Sequence, residues 1–329
     1  MTAKLTIIDV GHGNAAVLAD AGKVVVIDTA GRTHLQRFLD QSELTDIDLV
    51  VISHTDADHL AGLINLLSNP KYLVRKLIIN PDSIKASTLW EDVRFLIDEQ
   101  MRDEQLSVEY GISSCSPYQW CTVTDDLSLQ VVSPSPAMAL SGPGQSMPRD
   151  GRKLTSNSVS IVLRVLYKND PIALLTGDMD RIALDQIVKY SVEVSAKYLV
   201  FPHHGGLPGE GSAEMFTSDL LGVVKPDSII FSNGRVKYNN PNPEIVAAAL
   251  RLIPAVNILC TQLSKTCCDS PIVRDDYRPH NYSAGNDESF FCAGTVEIDM
   301  STNKINNTSQ DAHHAFVNGL PNSLCTKRH

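Results

Sequence analysis

The chain lacks an excess of basic residues, long apolar runs and a regular set of cysteines, and each absence excludes a class of protein. Lysine and arginine number 28 against 38 aspartates and glutamates, which gives a net charge of −10 at pH 7. This balance offers no broad positive surface for duplex nucleic acid or an anionic membrane. A phosphate substrate stays open, because a bound metal ion supplies local positive charge. No apolar run reaches the length of a membrane span.

The cysteines and the N-terminus give no sign of secretion. Seven cysteines are an odd number, and their spacing shows no disulfide framework of the secreted type. The apolar run within Met1–Asp9 is short and meets charge too early for a signal peptide. We therefore expect a cytoplasmic protein. With 329 residues, 43% of them hydrophobic, the chain is long enough for a sizeable core in one large or two ordinary domains.

The most informative positive feature is the run Ser53–His59, which is dense in metal-binding residue types. Four of them lie within six residues, namely His54, Asp56, Asp58 and His59. The run follows an apolar stretch, Asp48–Ile52, that is typical of a buried strand. It therefore lies at the carboxyl end of a strand, where open α/β sheets place their sites. Neighbouring carboxylates repel each other without a cation, so we interpret the run as a metal site rather than a solvated polar loop.

The remainder of the chain alternates strands and helices in two similar halves. The predicted strands are Leu5–Val10, Ala15–Ala19, Lys23–Asp28, Leu49–Ile52, Val74–Ile79, Val159–Tyr167, Ile172–Thr176, Tyr198–Phe201, Ser228–Ser232, Val256–Cys260 and Thr295–Asp299. The predicted helices are His34–Leu39, Leu60–Leu67, Leu89–Gln105, Arg181–Tyr190, Ser212–Leu221 and Pro243–Leu252. Each half opens with a hairpin, which predicts an α/β protein with two β-sheets packed face to face between helix layers. Ser133–Ser156 is rich in proline and glycine and is interpreted as a long loop, with a lid over the site as one option.

Further candidate ligands follow two strands of the second half. Asp178 comes after Ile172–Thr176, and His203 and His204 come after Tyr198–Phe201. If these strand ends share one edge with the first run, the four ligands of that run converge with Asp178 and His203, and six ligands suit a two-metal site. By itself Asp178 would be interpreted as the N-cap of the next helix. Of His203 and His204, we expect one to bind the metal and the other to be capped or exposed, in preference to both binding it.

These motifs together resemble the metallo-β-lactamase superfamily, and in particular the metallo-hydrolase domain of ComEC-type competence (DNA-uptake) proteins. The matching residues are Asp9–Ala15, Ile27–Thr29, Ser53–His59, Asn157 with Ser160–Leu163, Thr176–Asp178 and Pro202–Gly205. The resemblance implies a four-layer αββα sandwich with two packed mixed β-sheets. We expect one hydrolase domain over residues 1–300, in which residues 253–300 form a closing, cysteine-containing extension. Residues 301–329 are polar and unpatterned, and we interpret them as a flexible tail.

The resemblance also implies a role for each matching residue. His54 and Asp56 would hold one divalent metal ion, Asp58 and His59 a second, and Asp178 would bridge the two. His203 would complete the second site, with His204 beside it facing the substrate and Asp28 orienting a ligand from outside.

The chain departs from the family pattern at several positions. Asp56 and Asn157 stand where the wider superfamily has histidines, and Asn157 is either a metal ligand or a turn residue. Asn240 replaces a late histidine. Oxygen ligands favour Mn²⁺ or Mg²⁺ over Zn²⁺, so two ions of Zn²⁺ or Mn²⁺ are expected, with Mg²⁺ as a third option. His12 stands where the family often has glutamine. It is either a substrate contact or part of a loop, flanked by glycines, that serves backbone packing.

The expected function is a metal-dependent phosphodiesterase or nuclease acting on DNA or small nucleotides. A hydroxide bridging the two ions would attack phosphorus, with Asp58 as a catalytic ligand and His204 protonating the leaving oxygen. Ser232 and Asn240 are weaker candidates for substrate contacts. The alternatives are hydrolysis of a non-phosphate ester, amide or thioester, and a non-catalytic role in a multi-protein system. A nucleic acid or nucleotide partner is expected, and a protein partner or homo-oligomer stays open.

The cysteines of the C-terminal region form a separate question. Cys260, Cys267, Cys268 and Cys292 are candidates for a small structural zinc site, with His280 as a substitute ligand. Their spacing is not that of a standard zinc ribbon, so ordinary reduced cysteines in and near closing strands are the alternative.

Overall fold

The fold is built on two large mixed β-sheets. A computed structural model describes residues 3–31, 33–115, 119–271, 282–306 and 310–326. The first sheet has the strand order β17-β16-β1-β2-β3-β5-β7-β8. Its strands are β1 (Lys4–Ile7), β2 (Ala16–Asp20), β3 (Lys23–Ile27), β5 (Leu49–Ile52), β7 (Lys76–Ile79), β8 (Ser107–Glu109), β16 (Val296–Asp299) and β17 (Lys304–Ile305). The β17-to-β3 part is antiparallel, and the β3-to-β8 part is parallel.

The second sheet repeats this plan. Its strand order is β15-β14-β13-β12-β11-β10-β9. Its strands are β9 (Trp120–Thr122), β10 (Leu127–Ser133), β11 (Val162–Tyr167), β12 (Asp170–Leu175), β13 (Tyr198–Val200), β14 (Ser228–Phe231) and β15 (Asn257–Cys260). Strands β9 to β12 are antiparallel, and β12 to β15 are parallel. A third, two-stranded sheet pairs β4 (Asp46–Ile47) with β6 (Leu73–Val74).

Helices cover the outer faces of both sheets. They are α1 (His34–Gln41), α2 (Ala57–Leu60), α3 (Gly62–Ser68), α4 (Thr88–Arg102), α5 (Pro136–Ser141), α6 (Arg181–Lys189), α7 (Ala213–Val224), α8 (Pro243–Leu252) and α9 (Gln310–Asn318). Ser87 caps α4 by accepting from the Trp90 amide, and Asn242 caps α8, whose first position is Pro243. Asp180, two residues after Asp178, caps α6 by accepting from two backbone amides. The N-cap alternative for Asp178 is therefore removed, because a different aspartate performs that task.

The strand sequences explain the layers. In β3, Val25 and Ile27 face the core between the two sheets, whereas Val24 and Val26 face the core shared with α1, α3 and α4. A strand buried on both faces reads as a continuous apolar run, as β3 and β5 do. A third core joins the outer face of the second sheet to α6, α7 and α8. The predicted α/β fold, with two packed mixed sheets between helix layers, is confirmed.

The structure adds elements that the sequence pattern did not predict. β10 lies near one end of the second sheet, and the predicted loop Ser133–Ser156 begins inside this strand and contains α5. In the C-terminal part, β15 extends the second sheet and β16 extends the first. Among the described residues, no helix combines the length and hydrophobicity needed to cross a bilayer.

The prediction of a flexible tail from Ser301 is wrong for the described residues of that region. β17 pairs with β16, and α9 follows it in the chain. Phe316, Val317 and Leu320 are buried in a small cluster with Leu263 and Phe291. The polar stretch around Ser301–Asn303 is a turn between two strands. The apolar pattern therefore stops at this turn and resumes after it.

Candidate metal centre

Five strand ends meet at one edge of the sandwich. The carboxyl ends of β3 and β5 in the first sheet deliver Asp28 and the Ser53–His59 run. In the second sheet β12 delivers Asp178, β13 delivers His203 and His204, and β14 delivers Ser232. Parallel strands end at the same edge of a sheet, and packing the two sheets face to face brings the two edges together.

Two groups of three side chains lie at this edge. Within each group, the ligand atoms lie within 4.8 Å of one another. One group is His54, His59 and Asp178, all buried. The other is His12, Asp58 and His204. The groups adjoin, since His204 Nε2 lies 3.4 Å from Asp58 Oδ2 and 3.6 Å from Asp178 Oδ1. His54 Nε2 lies 3.7 Å from Asp56 Oδ2 and 3.9 Å from Asp178 Oδ2.

Partners on the far side of each ring orient the imidazole of His59 and His204. His59 Nδ1 donates to Asp28 Oδ2 at 2.7 Å, and Asp28 also accepts from the backbone amide and hydroxyl of Ser53. His204 Nδ1 lies 2.8 Å from the carbonyl oxygen of Ser232, which can only accept, so Nδ1 carries the proton. In both rings Nε2 is then the nitrogen that faces the carboxylates. This is the arrangement by which proteins orient histidines that bind metal ions.

Four buried polar atoms at the centre have no hydrogen-bond partner in the described part of the chain. They are Nε2 of His54, His59 and His204 and Oδ1 of Asp178. Oxygens lie close by, His59 Nε2 being 3.1 Å from Asp178 Oδ1, but the groups are not aligned as donor and acceptor. Ligand atoms around one tetrahedral Zn²⁺ are about 3.4 Å apart, given bonds of about 2.1 Å. Buried atoms left unpaired at this spacing fit a bound cation, because leaving them unpaired without one costs free energy.

The charges at the centre also fit a cation. Burial opposes ionisation of Asp58 and Asp178, but contacts with His12, His59 and His204 outweigh it and hold the pKa of both carboxyls well below the usual range. Burial likewise opposes the charged form of His59, yet Asp178 and Asp28 raise its pKa well above the ordinary value. The negative charge of the carboxylates therefore needs a compensating positive charge. Protonated histidines provide it in the absence of metal, and metal ions would provide it when bound.

Strained backbone supports the centre. His203 and His204 both have positive φ, 53° and 56°, a conformation that costs about 1–3 kcal/mol per non-glycine residue. The loop that carries His12 is held by Asp9, whose carboxylate accepts from the Gly11 amide at 3.0 Å and from Gln262 Nε2 at 2.9 Å. Gly13 in the same loop has φ 135°, and a Cβ there would lie 2.5 Å from the Asp58 carbonyl oxygen. Only glycine allows His12 to approach Asp58 so closely.

The structure places the two adjacent histidines differently from what the sequence interpretation expects. His204, predicted to face the substrate, is fully buried and points into the carboxylate group. His203, predicted to be a ligand, lines a neighbouring cleft of about 400 Å³ and belongs to neither ligand group. The left-handed turn at Pro202–Gly205 rotates successive side chains apart, and the two ring centroids are 6.4 Å apart. The residue pattern His-His alone does not indicate which ring turns inward.

The other predicted residues lie around this centre. Asn157 and Asp56 line the cleft with His203. His12 Nε2 contacts Asp58 Oδ2 at 2.8 Å, so this residue is joined to the centre and is more than a packing position. Ser232 contributes its carbonyl oxygen, while its hydroxyl donates to Gly13 at 2.9 Å. The backbone carbonyl of Asn240 accepts a hydrogen bond from the side-chain amide of Asn233. The side-chain amide nitrogen of Asn240 lies near Gly206.

Three residues with a part in the site were not singled out as site residues from the sequence. Ser53 contacts Asp28, His54 and His59, and its position directly before the ligand run was the available signal. Lys85 forms an ion pair with Asp56 from a loop that carries no motif. Asp82 in the same loop accepts from Thr55 at 2.7 Å and from Ser156 at 2.6 Å, which ties the ligand run to the wall of the cleft.

One family comparison covers this ligand run. The model of the metallo-beta-lactamase superfamily matches residues 8–80, which include His12, Asp28 and Ser53–His59. None of the curated proteins compared with the chain matches it. This part of the chain is therefore similar to the metallo-beta-lactamase superfamily, and the two large mixed sheets with their helices are consistent with a sandwich of the metallo-beta-lactamase type.

Several solved structures resemble the chain at low identity. Igni18, a metallo hydrolase from the hyperthermophilic archaeon Ignicoccus hospitalis, is 14% identical over 78% of this chain and 94% of its own, with a TM-score of 0.44. The metallo-beta-lactamase fold protein YhfI from Bacillus subtilis is 11% identical over 79% and 97%, with a TM-score of 0.46. A diphosphatase from the PhnP family is 13% identical over 78% and 94%, also with a TM-score of 0.46.

Proposed function

We propose that the protein is a metal-dependent phosphodiesterase that acts on single-stranded DNA or small nucleotides. The observation that carries this proposal is the set of four unpaired buried atoms, three imidazole nitrogens and one carboxylate oxygen, beside an open cleft. The sequence resemblance to the hydrolase domain of DNA-uptake proteins supports a phosphodiester substrate over other esters.

Two divalent ions, Zn²⁺ or Mn²⁺, would be held by two overlapping ligand sets. Asp58, His59, Asp178 and His204 would hold one, because their ligand atoms converge from both sheets. His54, Asp56 and Asp178 would hold the other. When bound, the ions would supply Lewis acidity and a lowered pKa for water. All three oxygen-bearing ligand residues, Asp56, Asp58 and Asp178, carry strongly stabilised negative charge, which suits hard ions such as Mn²⁺.

His203 takes the role of proton donor in this proposal. Its ring lines the cleft that also contains Asp56 and Asn157, so it is near the ligand groups without belonging to them. His204 is unsuited to the task because its Nδ1 donates to Ser232 and its Nε2 faces Asp58 and Asp178. A general acid must reach the leaving oxygen, which requires a ring that faces the substrate cleft.

The cleft has the volume of a small-ligand pocket, about 400 Å³, and contains cationic side chains that could meet a phosphate. Lys153 and Arg181 line the cleft, but Arg181 is paired with Asp185 and Asp219. Among the described residues Lys153 has no carboxylate within ion-pair distance, so it can meet a phosphate.

Hydrolysis of bis(p-nitrophenyl) phosphate by metal-stripped protein tests the proposal, with Mn²⁺, Zn²⁺ or Mg²⁺ added back. The same series is run with a short single-stranded oligonucleotide and a dinucleotide. We expect turnover that needs added metal and that falls by at least about 1000-fold in Asp58→Ala. Asp98→Asn, an exposed position on α4 whose carboxylate pairs only with Arg102 among the described residues, is the matched control and should keep full activity. Metal binding without hydrolysis of any phosphodiester would move the assignment to a non-phosphate ester, amide or thioester.

A further inference from the structure

The C-terminal cysteines do not form the structural zinc site that the sequence leaves open. Among the described residues, no three of the candidate ligands there bring their ligand atoms within 4.8 Å of one another. Cys268 does not line the small cavity that Cys260, Cys267 and Cys292 share. His280, the substitute ligand, lies outside the described residues. The alternative, reduced cysteines in and near the closing strands, is retained.

The surface beside the candidate metal centre carries an exposed aromatic ring. It belongs to the loop between β14 and α8, residues 232–242. The tip of this loop, residues 236–239, is exposed and contains Val236, Lys237 and Tyr238, of which Tyr238 is 51% exposed. Single exposed apolar side chains are common on protein surfaces. The position of the ring, rather than its exposure, therefore has to indicate a role.

Tyr238 borders the ligand residues through His12. The centroids of these two rings lie 4.9 Å apart, with the planes at 60°. His12 in turn has its Nε2 2.8 Å from Asp58 Oδ2, and its ring centroid lies 4.9 Å from that of His204. One imidazole therefore separates the exposed ring from the carboxylate group. In a nucleotide one sugar separates the phosphate from the base, so a phosphate at the centre leaves the base near Tyr238.

The loop is anchored on both sides of its tip. Before the tip, Arg235 is 3% exposed and donates to the carbonyl oxygens of Leu263 at 2.8 Å and Cys268 at 2.7 Å. After the tip, the Asn242 amide donates to the Gly205 carbonyl oxygen at 2.8 Å. These contacts fix the ring beside the centre before a substrate arrives, which lowers the cost of ordering the site on binding.

We propose that Tyr238 is a specificity-determining residue, whose ring stacks on the base of the nucleotide that places its phosphate at the candidate metal centre. Stacking on an aromatic side chain accepts every base, because every base has a π face. Lys237 Nζ lies 5.1 Å from the ring centroid and adds a cation beside the stacking surface. The inference rests on the proposed function, because that function brings a nucleotide phosphate to the centre.

Isothermal titration of the Mn²⁺-loaded protein with dAMP and with 2-deoxyribose 5-phosphate tests the proposal, because the second probe lacks the base. We expect the wild-type protein to bind dAMP at least about 10-fold more tightly. Tyr238→Ala should lose about 10-fold in affinity for dAMP and keep its affinity for the sugar phosphate. Tyr238→Phe retains the ring and should bind both probes as the wild type does.

Tyr190→Ala is the matched control and should bind both probes with wild-type affinity. Tyr190 is 62% exposed, and Lys189 contacts its ring at 5.2 Å, much as Lys237 contacts Tyr238. The control therefore removes an exposed tyrosine of the same local kind that does not contact His12.

Three results would each overturn the proposal. An equal loss for both probes in Tyr238→Ala would mean that the ring only holds His12 in place. Unchanged affinity for dAMP in that variant would mean that the ring does not contact the base. A wild-type protein that binds dAMP no more tightly than the sugar phosphate would exclude a base subsite, and this comparison needs no variant to fold. Binding is measured without turnover, so the base subsite and the phosphodiesterase activity can each fail alone.

Discussion

At the scale of single residues, His203 and His204 have different tasks in the proposed reaction, proton donation and metal binding, and the two tasks can be tested separately. His204→Ala should weaken metal binding by more than about 100-fold, since even the loss of an outer partner costs about 10–100-fold. His203→Ala should keep the metal and lose about 100-fold in kcat, because the leaving oxygen loses its proton donor. Isothermal titration with Mn²⁺ and steady-state kinetics on both variants check this. Loss of metal in His203→Ala with retention in His204→Ala would restore the assignment made from the sequence.

Asp28 provides a second prediction at this scale. Its carboxylate fixes the proton of His59 on Nδ1, so that Nε2 faces Asp178. In Asp28→Asn, the amide nitrogen presented to Nδ1 would favour the other tautomer, and metal affinity should fall about 10–100-fold. Metal titration followed by activity at saturating metal is the measurement, and Asp98→Asn serves as the control. Unchanged affinity would mean that Asp28 only holds the Ser53 backbone.

At the scale of structural elements, the loop between β1 and β2 depends on one glycine. Gly13→Ala would place a methyl group 2.5 Å from the Asp58 carbonyl oxygen at a φ of 135°. We expect a loss of about 2 kcal/mol in the free energy of unfolding, together with displacement of His12. Urea denaturation measures the loss, and Gly31→Ala, where a Cβ meets nothing within 4 Å, is the control. Equal stability of the two variants would contradict the argument.

The segment after α5 supplies the cleft with an available cation. Lys153→Ala should raise KM for an anionic substrate about 5-fold, in line with the about 1 kcal/mol of an exposed ion pair, and leave kcat nearly unchanged. Lys168→Ala, at the exposed turn between β11 and β12, should leave both constants unchanged. The comparison is made at low and at high salt, since screening should reduce the effect. A change in kcat alone would show that Lys153 does not bind substrate.

The elements also show what the sequence can and cannot predict. β3 and β5 could be predicted because they are apolar on both faces, and the ligand run could be placed because it follows β5 directly. β10 was missed because Ser128 and Gln130 interrupt its apolar pattern, although both strand faces are covered in the fold. The inward turn of His204 depends on the left-handed backbone at Pro202–Gly205 and on the Ser232 carbonyl, which is 28 residues away. Such contacts are set by tertiary packing and leave no local pattern.

At the scale of the whole molecule, the candidate metal centre joins the two sheets. His54, Asp58 and His59 follow β5 of the first sheet, whereas Asp178 and His204 follow β12 and β13 of the second. The ligand sets therefore exist only when the sandwich is closed, and the unfolded chain lacks them. A ligand that binds the folded state alone raises stability by mass action. Metal binding and folding would therefore be coupled in this molecule, and the size of the stabilisation would depend on pH.

The pH dependence of stability follows from the histidines of this centre. In the metal-free protein burial opposes the charge on His59, but Asp178 and Asp28 raise its pKa well above 6.5. A raised folded-state pKa contributes stability that is fully present below the unfolded value and is lost as the pH rises through the folded value. Metal binding becomes stronger as the pH rises, because it requires neutral imidazole and releases protons. We therefore expect Tm of the stripped protein to fall as the pH rises above 6.5, and the increase in Tm on adding Mn²⁺ to grow over the same range. Calorimetry across a pH series measures both, with Asp178→Asn as the variant in which both trends should be weaker, because only Asp28 then raises the pKa of His59. An increase in Tm that shrinks with pH would mean that the added ion binds elsewhere.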